Sequence, residues 1–227
     1  MIFILLFAAL MLLMFAPQLW IRHIMRKYAT ELTDMPGTGG ELAEHLIERF
    51  ELNGIRVEQT EENQDHFDPN DKMVRLSPSN YSGRSLKAVA VAAHEVGHAI
   101  QFHRKEDIFK LRAKYIPAAI QIRRIGIAIL WLSPLLAIVM KSPLAIILPI
   151  AISIALQVIA ALTYLIVLPE EWDASFGKAM PILAEGYLPE SYLPHAEKIL
   201  QAAALTYFAA ALSSVLNLGY LLLLLRR

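Results

Sequence analysis

Ala92-Ala93-His94-Glu95-Val96-Gly97-His98-Ala99-Ile100-Gln101 decides how the rest of this chain is read. The stretch is rich in alanine and carries no proline, so it reads as helix. On a helix, positions i and i+4 share a face about one turn apart. His94 and His98 therefore aim their rings at one point, and a zinc ion is the partner this pairing calls for. Glu95 then stands where a general base is expected, beside the water that such an ion activates. An isolated histidine pair more often decorates a surface or a core. Here the glutamate between the two histidines and the Ala-rich helix around them favour the metal. The helix begins near Ser85 and reaches about His103.

Most of the remaining chain looks built for a bilayer. Of its 227 residues 56% are hydrophobic, and the formal net charge is zero, which argues against nucleic acid as a partner. There is no cysteine, so disulfides and thiolate zinc sites are excluded and a metal must be held by His, Asp and Glu. Charged residues are blocked, nearly all within 22–124 or 170–198. Four apolar stretches, 2–21, 116–140, 144–168 and 202–225, meet or approach the roughly 20 residues a spanning helix needs. The first lacks the basic start and Ala-x-Ala site of a cleaved signal peptide, so it reads as a retained anchor. Arg123 and Arg124 can snorkel to the headgroups at the start of the second, and Lys141-Ser142-Pro143 turns the chain into the third.

Polar residues within the spans are Ser153, Gln157, Ser213, Ser214 and Asn217, all uncharged and suited to helix–helix contacts. No carboxylate or lysine lies deep in a span, which argues against a transporter. Parity puts the histidine helix on the side of Arg22, Arg26, Lys27, Lys114, Arg123 and Arg124. The positive-inside bias then makes that side cytoplasmic, with both termini outside.

The water-facing segment 22–115 reads as a small α+β unit. Thr38-Gly39-Gly40 precedes a helix over 41–53, in which Leu42, Leu46 and Phe50 recur at helical spacing. Asn53-Gly54 closes it, and residues 55–57 begin a short alternating strand. The acidic stretch 58–71 is turn-rich, residues 72–76 form a second strand, and Ser77-Pro78-Ser79-Asn80 is a turn. The strand from Met73 to Leu76 offers either ordinary core pairing or an edge to which an extended substrate could add.

Two histidines need a third protein ligand if one position is to stay open for water. The metzincin extension requires Gly at 101 and His at 104, where this chain has Gln101 and Arg104. His103 points off the shared face, and Glu106 and Asp107 follow too closely to fold back. The next acidic residues are Glu170, Glu171 and Asp173, just after Pro169 at the end of the third span and on the same side by parity. They also suit plain interface decoration, as does Trp172. A gluzincin-type set, two His plus a downstream Glu, has no better candidate, and the hairpin of spans two and three is then an insertion between the ligands.

These residues resemble a known family. Asp68-Pro69, Val74-Arg75-Leu76-Ser77, Asn80-Tyr81 and Gly83-Arg84-Ser85, followed by the histidine helix, are similar to the YugP-type membrane-bound zinc metallopeptidases of bacteria. Leu168-Pro169-Glu170-Glu171-Trp172-Asp173-Ala174-Ser175 resembles their second motif, with Trp172 where Phe is usual. The resemblance implies His94, His98 and Glu171 as zinc ligands and Glu95 as the catalytic acid/base. HtpX-like and CAAX-prenyl-type membrane proteases are also similar, but place Asp where this chain has Ser175.

The expected fold is a mainly α membrane protein, with about four transmembrane helices and a small α+β zincin-like catalytic domain. Its expected parts are an anchor (1–22), the catalytic segment (23–115), a transmembrane hairpin (116–168), the third-ligand segment (169–201) and a last span (202–227). The expected function is a zinc-dependent metalloendopeptidase, multi-pass in the bacterial inner membrane, with protein or peptide substrates and the bilayer as partners. The alternative is a catalytically silent zinc-binding scaffold, which the intact Glu95 disfavours. Tyr81, His103, Tyr187 and His195 are candidates to assist the oxyanion, each with an ordinary packing or surface role as its alternative.

Overall fold

The computed structural model describes residues 2–214, without the side chains at 2–11, 13, 14, 210, 211, 213 and 214. In chain order it contains α1 (Ile2–Lys27), α2 (Gly39–Arg49), β1 (Arg56–Gln59), β2 (His66–Asp68), β3 (Met73–Leu76), α3 (Pro78–Tyr81) and α4 (Leu86–His103). After these come α5 (Lys110–Met140), α6 (Leu144–Trp172), α7 (Met180–Ile182), α8 (Leu193–Ala204) and α9 (Thr206–Ser214). Two π-helical stretches, Asp173–Ala179 and Leu183–Tyr187, flank α7. The chain is thus mainly helical with one three-stranded sheet. Its elements form two compact units. Within the described residues, one takes the chain up to Gln18, Leu111–Val167 and the part from Tyr207 on; the other takes Leu19–Lys110 and Leu168–Thr206.

The first unit is dominated by α5 and α6. Among the described residues, two helices are long and apolar enough to cross a membrane, the stretches Asp107–Met140 and Leu144–Tyr187. Large apolar side chains such as Trp131, Ile138, Val139, Leu144 and Leu148 stay exposed along them, as lipid-facing surfaces do and soluble cores do not. Where the two helices meet, Gly126 lies so close to α6 that an added Cβ would stand 3.2 Å from the Ser153 carbonyl oxygen. Ser153 and Gln157 are buried and hydrogen-bonded to each other at 3.1 Å, which satisfies polar groups within an apolar helix. The stretch expected as a fourth span holds a helix break at Leu205 and then α9; from residue 215 it lies outside the described residues, as does Asn217, and the side chains of Ser213 and Ser214 are not described.

The second unit is built around α4, in which every residue from Ala88 to Gln101 is buried. Its alanines and valines let neighbours approach from all sides, as expected of a helix apolar around its circumference. Ser85 caps it, its hydroxyl accepting the Ala88 N–H at 3.1 Å. Thr38 and Glu41 cap α2 reciprocally, the Glu41 N–H to the Thr38 hydroxyl at 3.1 Å and the Thr38 N–H to the Glu41 carboxylate at 2.7 Å. Gly39 then allows α2 to press on α3 and α4, since a Cβ there would meet the Asn80 and Ala88 carbonyl oxygens at 2.3 and 2.8 Å.

The sheet order is β1-β3-β2, with β1 parallel and β2 antiparallel to β3. This decides one open alternative and corrects one expectation. The strand Met73–Leu76 is the central one, paired on both sides, so it has no free edge for a substrate. The acidic stretch also holds a strand, β2, that turn composition concealed. Phe67 fastens β2 to the end of α4 and to the turn after it, its ring 5.4 Å from Phe102 and 6.2 Å from Phe109. On the other face Arg75 gathers the carboxylates of Glu58, Asp68 and Asp71 at 2.5–2.6 Å. Burial pushes Asp68 up, but the Asn70 and Asp71 N–H groups and Arg75 outweigh it and hold the carboxyl below its ordinary range.

Candidate metal centre

Helical spacing on α4 sets His94 and His98 one turn apart, their ring centroids 4.7 Å from each other and their planes 80° apart. Facing them is the end of α6. The sequence suggested that the third span stops before Pro169, but the helix runs on through Trp172 and passes into the π-helical stretch. That continuation turns Glu171 inward. Its Oε2 lies 3.2 Å from His98 Nε2 and 3.4 Å from His94 Nε2. One donor atom from each of the three residues lies within 4.8 Å of the others. His94, His98 and Glu171 are 4%, 2% and 1% exposed, so water screens this group little.

Gly97 makes the approach possible. A Cβ there would stand 2.6 Å from the Ala174 carbonyl oxygen, a backbone atom that cannot swing aside. Replacing Gly97 with alanine is expected to push α4 and the π-helical stretch apart and to cost about 1–3 kcal/mol of stability. A lowered thermal midpoint of the detergent-solubilised protein is the measurement that checks it.

The outer hydrogen bonds of the two histidines are specific. Ser175 Oγ lies 3.0 Å from His94 Nδ1 and donates to the Leu200 carbonyl oxygen at 3.0 Å. A carbonyl can only accept, so the one hydroxyl proton lies there and His94 Nδ1–H donates to Ser175. His98 Nδ1 faces Gln101 Oε1 at 3.0 Å, an acceptor. In their neutral forms both histidines then present Nε2 lone pairs toward a carboxylate oxygen. Three acceptors converging without a proton among them repel one another unless a cation sits between them. A tetrahedral zinc ion, with bonds of about 2.0–2.1 Å, holds its ligand atoms roughly 3.3 Å apart, close to the separations of Glu171 Oε2 from the two nitrogens. The donor set fits zinc.

Glu95 directly follows His94 on α4 and is 8% exposed. Among the described residues its carboxylate has no hydrogen-bond or ion-pair partner. Glu170 Oε1 lies 3.7 Å from His98 Nδ1, the nitrogen turned away from Glu171. Asp173 receives Gln101 Nε2 and Lys178 Nζ, each at 2.9 Å. The oxyanion candidates have contacts elsewhere. Tyr81 donates to Glu44 at 3.3 Å, with its hydroxyl pushed up by burial and then by Glu44, and the His195 ring stacks on Tyr28 at 5.1 Å. The Tyr187 hydroxyl is buried beside Gly37, and His103 is exposed at the end of α4. None of the four makes a hydrogen bond or ring contact with the cluster among the described residues. Sequence reading gave Gln101 and Ser175 no role of their own, although both lie in stretches that carry the family resemblance. The spacing of Gln101 three residues after His98, on the same helical face, was the available signal.

Comparison with known proteins agrees with this chemistry. The profile of a family described as "Putative neutral zinc metallopeptidase" matches residues 2–226. "Putative membrane protease YugP" of Bacillus subtilis (strain 168) is 35% identical over 220 residues, covering 96% of this chain and 94% of that protein. No solved structure matches the chain.

Proposed function

We propose that this chain, which belongs to the neutral zinc metallopeptidase family, is a membrane-bound endopeptidase in which His94, His98 and Glu171 hold zinc and Glu95 moves the proton. One observation carries the reading: the two Nε2 atoms and Glu171 Oε2 converge in a buried cluster, and Glu95 follows His94 on the same helix, its carboxylate without a partner among the described residues. Zinc, when bound there, supplies a Lewis acid that polarises a carbonyl and brings the pKa of water toward neutrality. The Glu95 carboxylate accepts a proton from water attacking a peptide carbonyl and returns it to the departing amine nitrogen. Burial of the cluster keeps competing solvent away and strengthens each electrostatic contact. The substrate is a protein or peptide. The exposed apolar flanks of α5 and α6 support a multi-pass placement in the bacterial inner membrane, and the cluster of basic residues near the span ends supports a cytoplasmic active side.

The test uses the purified full-length protein in detergent. It is expected to carry about one zinc per chain and to cleave a casein-type or membrane-protein substrate. Stripping the metal with a chelator should abolish cleavage, and stoichiometric zinc should restore it. Undiminished cleavage by metal-free protein would contradict the proposal.

A further inference from the structure

We infer that Gln101 is a positioning residue for this centre: its side-chain amide decides which nitrogen of His98 faces the metal and ties that histidine to the segment carrying Glu171. The inference rests on the zinc reading above and goes beyond it. An amide side chain offers one accepting oxygen and one nitrogen with two protons. Gln101 Nε2 lies 3.0 Å from the Glu170 carbonyl oxygen and 2.9 Å from Asp173 Oδ2. The carbonyl can only accept, and Asp173 is held as a carboxylate acceptor by Lys178 Nζ at 2.9 Å. Both amide protons are thereby used. Turning the amide over would set its oxygen against two oxygens, so Oε1 must face His98 Nδ1, at 3.0 Å. His98 therefore supplies the proton at Nδ1, so that in the neutral ring it is Nε2 whose lone pair faces Glu171.

The arrangement is rigid because Gln101 is fully buried, at 0% exposure, and no bulk water can stand in for a lost partner. It is anchored from outside as well. Lys178 reaches Glu106 at 3.2 Å besides Asp173, so a continuous series of polar contacts leaves the loop after α4, crosses to the π-helical stretch and returns to α4 through Gln101. The two chain segments that supply the proposed ligands are thus clamped together by one neutral side chain. A residue in this place acts through His98 and touches neither substrate nor ion.

The experiment measures zinc affinity by chelator competition, and the visible spectrum of the cobalt-substituted form, on the full-length protein in detergent. Gln101→Met keeps the length of the side chain and removes its three hydrogen bonds. It is expected to weaken zinc by about 10- to 100-fold and to change the cobalt bands. Affinity within about threefold of wild type, with unchanged cobalt bands, overturns the inference. Should the Met variant fail to fold, Gln101→Glu alone is compared with Gln101→Glu combined with Asp173→Asn. The single change sets carboxylate against carboxylate, whereas the pair restores a donor facing an acceptor. Partial recovery of zinc binding in the double variant is expected, and no recovery overturns the inference. A wild-type protein that takes up no zinc defeats the zinc reading itself, which separates that failure from these.

Discussion

Glu95→Gln is expected to leave the protein folded and zinc-loaded while lowering peptide hydrolysis by about 10²- to 10⁴-fold. The two side chains have the same shape, and the Glu95 carboxylate has no protein partner among the described residues, so the exchange breaks no contact that supports α4. Only the ability to accept a proton is lost. Metal analysis and cleavage rate on one preparation separate the two effects. Unchanged cleavage would remove Glu95 from the mechanism. A wild-type protein that binds zinc yet cleaves nothing would instead favour the silent scaffold.

Glu171→Ala is expected to act on the metal itself. Loss of an outer partner of a ligand weakens a site by about 10- to 100-fold, so loss of a direct ligand should exceed the upper end of that range, and hydrolysis should fall with it. Chelator competition gives the affinity directly. Full zinc retention would transfer the role to Glu170 or Asp173, the other carboxylates of the cluster. Their positions speak against it: Glu170 approaches His98 from the Nδ1 side, and Asp173 is occupied by Gln101 and Lys178.

How much of this was legible in the sequence depends on the range of the interaction. Local chemistry was readable. Thr38 and Ser85 start α2 and α4 where their hydroxyls can cap, and the i, i+4 spacing of His94 and His98 sets their rings side by side. Strand β2 was not readable, because in His66–Asp68 only Phe67 is buried and one inward residue makes no alternating pattern. Its pairing with β3 is a tertiary event, helped by Arg75 gathering the nearby acids. Spacing alone did not choose among Glu170, Glu171 and Asp173; only the family resemblance pointed to Glu171. The choice depends on the rotation of the chain where α6 passes into π-helical turns, and no residue type announces such a passage, although π-helical geometry is frequent at functional sites. Gln101 escaped for a related reason: two of its three side-chain partners lie 69 and 72 residues away.

Glu171 stands 73 residues after His98, and this spacing has a consequence for biosynthesis. A ribosome that has just released the second histidine must still make all of α5 and nearly all of α6 before the carboxylate emerges. Under the proposed ligand set, a nascent or truncated chain holds two imidazoles and no third ligand, and so cannot retain the ion tightly. Proteolytic power would then arise only in a chain whose hairpin is complete, a safeguard for the cell that synthesises it.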